Sequence, residues 1–256
     1  MTLRYSTGVR NFMAAKGSFK NAFQGGRIEI YTGAQPASAD AAVTGTLLCT
    51  ISDNSGALTS EVLAAGSVTL AGAAGSVNTL TVNGVEIMGA AVPFNSTLTQ
   101  TAADVVTQCE NYQSSVEYNV TSSGAVITIT ARPGTGTAPN GFVVAAGVTT
   151  LTTTLVNMAG GVAAVNGLKF GAAASGTIAK LAAQVWTGIN AASGTAGWYR
   201  AYGGQADAGG VDTNLVLNRE DGAIATSGAE LNMSATALTA AATTTVTTWT
   251  RTLPTL

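Results

Sequence analysis

Apolar and polar residues alternate with a period of two through Arg27-Ile28-Glu29-Ile30-Tyr31. Ile28 and Ile30 therefore share one side of a strand, while Arg27, Glu29 and Tyr31 share the other, the side expected to meet water. A second strand is expected over 44–51. The intervening 33–43, with Pro36, Asp40 and many small residues, suits a surface crossing better than a helix. Before this pair the period becomes helical. Val9, Phe12 and Met13 fall on one face behind Ser6 or Thr7 as the cap, Gly17 closes the segment, and Phe19 and Phe23 add a further turn. The pattern predicts a helical arm over 1–24 that packs on its own domain or swaps onto a neighbour.

After the turn signal Asp53-Asn54-Ser55-Gly56 the chain changes character. Strands are expected over 67–70 and 78–82, with Asn83-Gly84 as a tight hairpin turn into 85–88. Helical spacing of Ala102, Val105, Val106, Cys109 and Tyr112 predicts a helix over 99–112 capped by Thr101. A second hairpin follows, 118–121 and 125–130 around Ser122-Ser123-Gly124, then a loop over 132–141 and a return strand over 142–144. Met158-Ala159-Gly160-Gly161 reads as the exit hinge. From Asn166 onward the opening character returns, with short strands expected over 168–170, 178–180, 184–188, 197–202, 215–217, 230–233 and 243–253, and a polar glycine loop over 206–213. The predicted fold class is mainly β: an antiparallel β-sandwich with an inserted small α+β module of ββαββ type and an N-terminal helical arm. The sandwich is discontinuous, 1–56 plus 165–256, and the inserted module is 57–164. A long insertion costs little, because loop-closure entropy grows slowly with length.

Composition narrows the function classes. The chain has 256 residues, long enough to bury a sizeable core, yet only 9% are charged, against about a quarter in an ordinary globular protein. A surface so poor in charge is expected to be covered by neighbouring subunits, since interface cores are depleted of charge. The net charge of −2 offers no basic field to nucleic acid. Gly, Thr, Ser or Asn interrupts every apolar run, so no spanning helix is expected. The first 20 residues scatter Arg4, Arg10, Lys16 and Lys20 without an apolar stretch, so synthesis in a cytoplasm without a secretory signal is expected. Cys49 and Cys109 stand far apart without a CxxC pattern, and the chain contains no histidine. Both thiols are expected as buried small apolar groups.

Candidate chemistry is sparse. Asp207, Asp212, Asn214, Glu220 and Asp221 form the stretch most like an oxygen-ligand loop, but EF-hand spacing is lacking, and solvated turn residues are the expected reading. Gly203-Gly204 and Gly209-Gly210 lack the lysine of a phosphate loop. Trp186, Trp198 and Tyr199 suit a sugar-stacking platform or, more simply, a sandwich core. Serines and threonines have only lysine or carboxylate available as a base, and no GxSxG occurs. No catalytic, cofactor-binding or metal-binding residue is assigned, and a non-enzyme is expected.

Two ends of the chain carry a resemblance. The stretches 1–11 (MTLRYSTGVRN), 27–42 (RIEIYTGAQPASADAA) and 44–48 (TGTLL), with Gly197-Trp198-Tyr199-Arg200 and 221–233 (DGAIATSGAELNM), resemble a family of tailed-bacteriophage virion structural proteins. The middle, with 79–84 (TLTVNG) and 123–131 (SGAVITITA), resembles modules inserted in phage tail and other virion proteins. The resemblance implies a head, neck or tail component of a virion (capsid decoration, collar or tail), with a homo-oligomer and other virion proteins (capsid, portal, neck or tail) as partners; the charge and the interrupted apolar runs add the expectation of no direct nucleic acid and no membrane. An outward-facing module binding host surface or glycan, with Tyr112 or Tyr118 stacking, is the alternative. The family supplies no ligand motif to carry over.

Overall fold

In the computed structural model residues 3–112 and 118–252 are described; the first two residues of the expected arm and Leu253 of the expected last strand lie outside them. The chain forms two compact units, unit 1 from Met1–Glu61 with Ala163–Leu256 and unit 2 from Val62–Val162. Unit 1 opens with β1 (Arg4–Tyr5), α1 (Thr7–Ala15), α2 (Phe19–Phe23), β2 (Arg27–Thr32) and β3 (Leu47–Asp53). Unit 2 holds β4 (Ala65–Ala71), β5 (Ser76–Val82), β6 (Val85–Glu86), β7 (Val92–Pro93), α3 (Leu98–Asn111), β8 (Asn119–Ser123), β9 (Val126–Thr130), β10 (Val144–Thr149) and β11 (Thr152–Ala159). Unit 1 resumes with β12 (Thr177–Ala179), β13 (Trp186–Ile189), β14 (Gly194–Tyr202), β15 (Arg219–Ala225), β16 (Leu231–Asn232), β17 (Ala237–Leu238), β18 (Thr243–Val246) and β19 (Thr250–Thr252). The protein is mainly β, and its paired strands run antiparallel except β15 with β16.

Unit 1 is organised around a nine-stranded sheet of order β1-β15-β14-β2-β3-β13-β18, with β16 on β15 and β17 on β14. One face is the apolar core: Ile28, Ile30, Cys49, Ile51, Tyr199, Ala201 and Ile224 pack with Phe23, Phe170, Trp186 and Trp249. The helices reach this core through short-range rules. Ser6 caps α1, its hydroxyl accepting from the Val9 amide at 3.2 Å, and Ser18 caps α2 in the same way. Phe12, Met13 and Phe19 then lie against the core face. The Ser6 hydroxyl also donates to Leu217 O at 2.6 Å and accepts from the Arg219 amide at 3.0 Å, so the arm packs on its own unit.

Unit 2 pairs its strands in two four-stranded sheets, β11-β4-β9-β8 and β10-β5-β6 with β7 on β5. Its core is wholly uncharged, built from Val68, Leu70, Leu80, Val82, Met88, Val105, Ile127, Ile129, Val144 and Met158 among others. Asn83 and Gly84 both take positive φ, 50° and 78°, the twist that a two-residue hairpin needs.

Several expectations change. The β2 side bearing Arg27, Glu29 and Tyr31 is covered rather than wet, with Tyr31 buried. The α3 cap is Thr97, whose hydroxyl accepts from the Gln100 amide; Thr101 is buried inside the helix, where its hydroxyl accepts from the Asn95 amide. The residues 215–217 form no strand, because Leu215 has a φ of 57° that breaks extended pairing. The adjacent, highly charged Arg219–Ala225 is a strand instead. The expected 243–253 run divides into β18 on the large sheet and β19 on β12, with the buried Trp249 just before β19. The return strand expected over 142–144 begins only at Val144, as β10, and β11 follows it beyond the expected strands.

Candidate functional site: a charged layer buried on the first sheet

Cross-strand register gathers the charged side chains. Arg200 lies opposite Glu29 on β2 and Asp221 on β15, Tyr202 opposite Arg27 and Arg219, and Trp198 opposite Tyr31. Residues directly opposite one another point to the same side, so these groups form one layer on the face away from the apolar core. The segment between β2 and β3 and the loop after β14 close over it. Asp40 accepts from the Thr7 amide and hydroxyl, both at 2.8 Å, and the Asp212 amide donates to Asp40 O at 2.8 Å.

Two bidentate ion pairs form the centre. Arg200 donates from Nε to Asp221 Oδ1 at 2.6 Å and from Nη2 to Oδ2 at 2.7 Å, while its Nη1 reaches Ala41 O at 2.9 Å. Both side chains are 0% exposed. Arg219 donates from Nε and Nη2 to the two oxygens of Asp207, each at 2.7 Å, and from Nη1 to Gly210 O at 2.7 Å. Arg27 donates to Glu29 Oε1 at 2.6 Å and to Asp207 O at 2.6 Å, with its guanidinium 3.9 Å from the Tyr202 ring centroid. The Tyr31 hydroxyl donates to Glu29, and its ring stacks on Trp198 at 4.7 Å.

The strand alternation sends the middle residue of Arg219-Glu220-Asp221 to the other face. There Glu220 accepts from the Tyr199 hydroxyl at 2.7 Å and from Arg251, whose guanidinium lies 4.2 Å from the Trp249 ring centroid. Gly222 makes this packing possible: a Cβ there would stand 2.5 Å from the Tyr199 ring. Burial, reinforced by Glu220, raises the Tyr199 hydroxyl well above the ordinary phenol range. Burial likewise raises Tyr31, helped by its bond to Glu29. Burial also raises the Asp221 carboxyl, against the pull of Arg200. Burial pulls the Arg200 guanidinium down, but the bond to Asp221 and the charge of Asp221, with Tyr202 and Asp207, together leave it raised. With Nε and Nη2 each bonded to one of the two carboxylate oxygens, we read the pair as ionised.

Each of Glu29, Asp207, Glu220 and Asp221 is thus engaged by a guanidinium. Asp207 and Asp221, expected as solvated turn residues, are locked in ion pairs, and Glu220 is fully buried. Asp212 is buried too, accepting from the Leu217 amide at 2.8 Å, whereas Asn214 stays exposed at the loop tip. Among the described residues no three His, Cys, Asp or Glu gather as a metal group. Trp186, Trp198 and Tyr199 are all 0% exposed and fill the interior. A Cβ at Gly89 would meet the Tyr112 ring at 2.1 Å, and Tyr118 packs on the unit 2 core, so both tyrosines lean on their own unit. Cys49 and Cys109 are free thiols, pushed by burial up to about 11 and about 12. Arg27, Arg200, Arg219 and Arg251 are absent from the candidate chemistry read from the sequence. The signal was present in Arg219-Glu220-Asp221, a dense charge run in a chain otherwise poor in charge.

No protein-family model, no curated protein and no solved structure matches this chain.

Proposed function

We propose that this chain is a non-enzymatic structural protein of a tailed-phage virion, assembling as a symmetric oligomer on head, neck or tail as a decoration, collar or tail component. The observation that carries the reading is the internal use of charge. Four arginines and four carboxylates of unit 1 close on one another within the fold, in a chain with only 24 charged residues (11 basic plus 13 acidic). What remains outside is a weakly charged surface of small residues, suited to contact with further subunits. The guanidinium forks are engaged by carboxylates and backbone carbonyls, which fixes the covering loops in place and gives them the rigidity of a scaffold. The resemblance of both chain ends to virion structural proteins supplies the particle. Copy counting by quantitative mass spectrometry on purified particles tests the proposal: a fixed multiple of a rotational symmetry number is expected, and absence of the chain from the particles would refute it.

A further inference from the structure

Among the described residues the sheet β11-β4-β9-β8 ends at β11 and β8; Gly141 and Phe142 bond the outer side of β11 at Met158, while 152–156 of β11 and 120–123 of β8 make backbone bonds only to their inner neighbours. Natural sheets ordinarily guard such edges with charge, proline or very short strands. Neither edge here does so. β11 reads Thr-Thr-Thr-Leu-Val-Asn-Met-Ala over eight residues and β8 Asn-Val-Thr-Ser-Ser over five, with no charge and no proline in either. The charged residues of unit 2 among the described ones, Glu86, Asp104, Glu110 and Arg132, all lie outside both strands.

Direction and register make the two edges complementary. Each neighbouring pair in this sheet is antiparallel, β11 to β4, β4 to β9 and β9 to β8. Because the strands alternate and their number is even, β8 and β11 run in opposite directions. A second copy placed beside the first in the same orientation therefore brings its β8 antiparallel to this β11, continuing the ladder. Side-chain parity then selects the register. Leu155, opposite the core residue Val68, lies on the core face but remains 40% exposed at the edge, while Val120 is a buried core-face residue of β8. Setting Leu155 opposite Val120 places Thr154 against Thr121, Thr153 against Ser122 and Thr152 against Ser123. All of these precede the irregularity between Val156 and Ala159, so the regular part of β11 is matched along its length.

We propose that unit 2 joins to a second copy of this chain by pairing β11 of one copy with β8 of the next, head to tail, with Leu155 seated beside Val120. This rests on the oligomer reading above and names its contact. Such a contact is heterologous: in the symmetric oligomer proposed above it repeats by a rotation that closes into a ring, whereas without closure it would run on as a filament. Four residue pairs bury well under the roughly 1,200 Å² of a stable interface. The contact is accordingly weak between two copies and is sustained by closure of the ring.

Cysteine pairing in the full-length protein tests it. Thr121 and Thr154 sit on opposite edges of one sheet, three strand spacings or roughly 14 Å apart, beyond disulfide reach within a copy. The variant Thr121→Cys/Thr154→Cys, oxidised at concentrations where the chain assembles, is expected to give a ladder of dimers, trimers and higher multimers on non-reducing gels. The two single variants, with the same native thiols, are expected to give none. Leu155→Lys, with unchanged circular dichroism, is expected to weaken assembly by at least about tenfold, a change of about 1.4 kcal/mol. An oligomer by mass photometry that yields no ladder and tolerates Leu155→Lys overturns the edge pairing and leaves the oligomer reading standing. A monomer at every concentration overturns both.

Discussion

The two units solve the same problem with different chemistry. Unit 1 stacks an apolar face and a charged face on opposite sides of one sheet and buries both, whereas unit 2 buries an aliphatic core with no charged member. Unit 1 holds ten basic and nine acidic residues (11 − 1 and 13 − 4), and unit 2 one and four. The difference teaches what burial demands. An aliphatic core needs only volume and pattern, and it tolerates conservative exchange. A buried carboxylate instead needs a guanidinium at bonding distance, which fixes the register of β2, β14 and β15 and the path of two loops at once.

That contrast breaks most sharply at the Arg200–Asp221 pair. Asp221→Leu strands a buried guanidinium and is expected to cost unit 1 about 3–5 kcal/mol, while Arg200→Met/Asp221→Leu recovers most of the loss. Urea denaturation followed by tryptophan fluorescence reads unit 1 selectively, because Trp186, Trp198 and Trp249 are the chain's three tryptophans and all lie there. In unit 2 the matching experiment is Leu80→Ala at a position 1% exposed, with an expected loss of about 3 kcal/mol from the cavity alone. Amide exchange should quicken over 62–162 with tryptophan fluorescence unmoved. Ser6→Ala removes one hydroxyl shared by the arm, Leu217 and Arg219. About 1–2 kcal/mol is expected, with exchange quickening first in α1.

A smaller, graded effect separates the units at high pH. Tyr5, Tyr31, Tyr199 and Tyr202 of unit 1 all have raised hydroxyls, chiefly through burial. A raised folded value favours the protonated, folded form, so this stability is whole below the ordinary phenol value of about 10 and is lost as pH climbs toward the raised values. The tyrosines should therefore ionise together with unfolding of unit 1. Tyrosinate absorbance that rose while tryptophan fluorescence stayed native would contradict this.

Legibility followed the same division. The Asn83-Gly84 hairpin, the helices and the β2 and β3 strands were readable because turn chemistry and apolar spacing are local signals, although the cap of α3 lies at Thr97 rather than Thr101. The charged layer was not. Alternation marks two faces of a strand, but it does not say whether the polar face meets water or another layer. That answer lies in contacts such as Arg219 with Asp207, 12 residues apart, and Arg200 with Ala41 O, 159 apart. β15 was missed for a related reason: three consecutive charges resemble a turn until each finds its opposite charge across the sheet. β11 was missed because its threonine run gives no alternation, a consequence of its exposure along most of its length.

The central claim is that unit 1 is a sealed scaffold whose charges serve the fold, while assembly proceeds through uncharged surface. A cryo-EM reconstruction of the intact particle, with this chain traced in every symmetry-related copy, tests it most directly. The account predicts a ring or lattice of copies in which Arg200–Asp221 and Arg219–Asp207 stay closed and subunit contacts run through uncharged segments, β8 and β11 foremost. Copies whose charged layer is opened to receive a partner or ligand would contradict it.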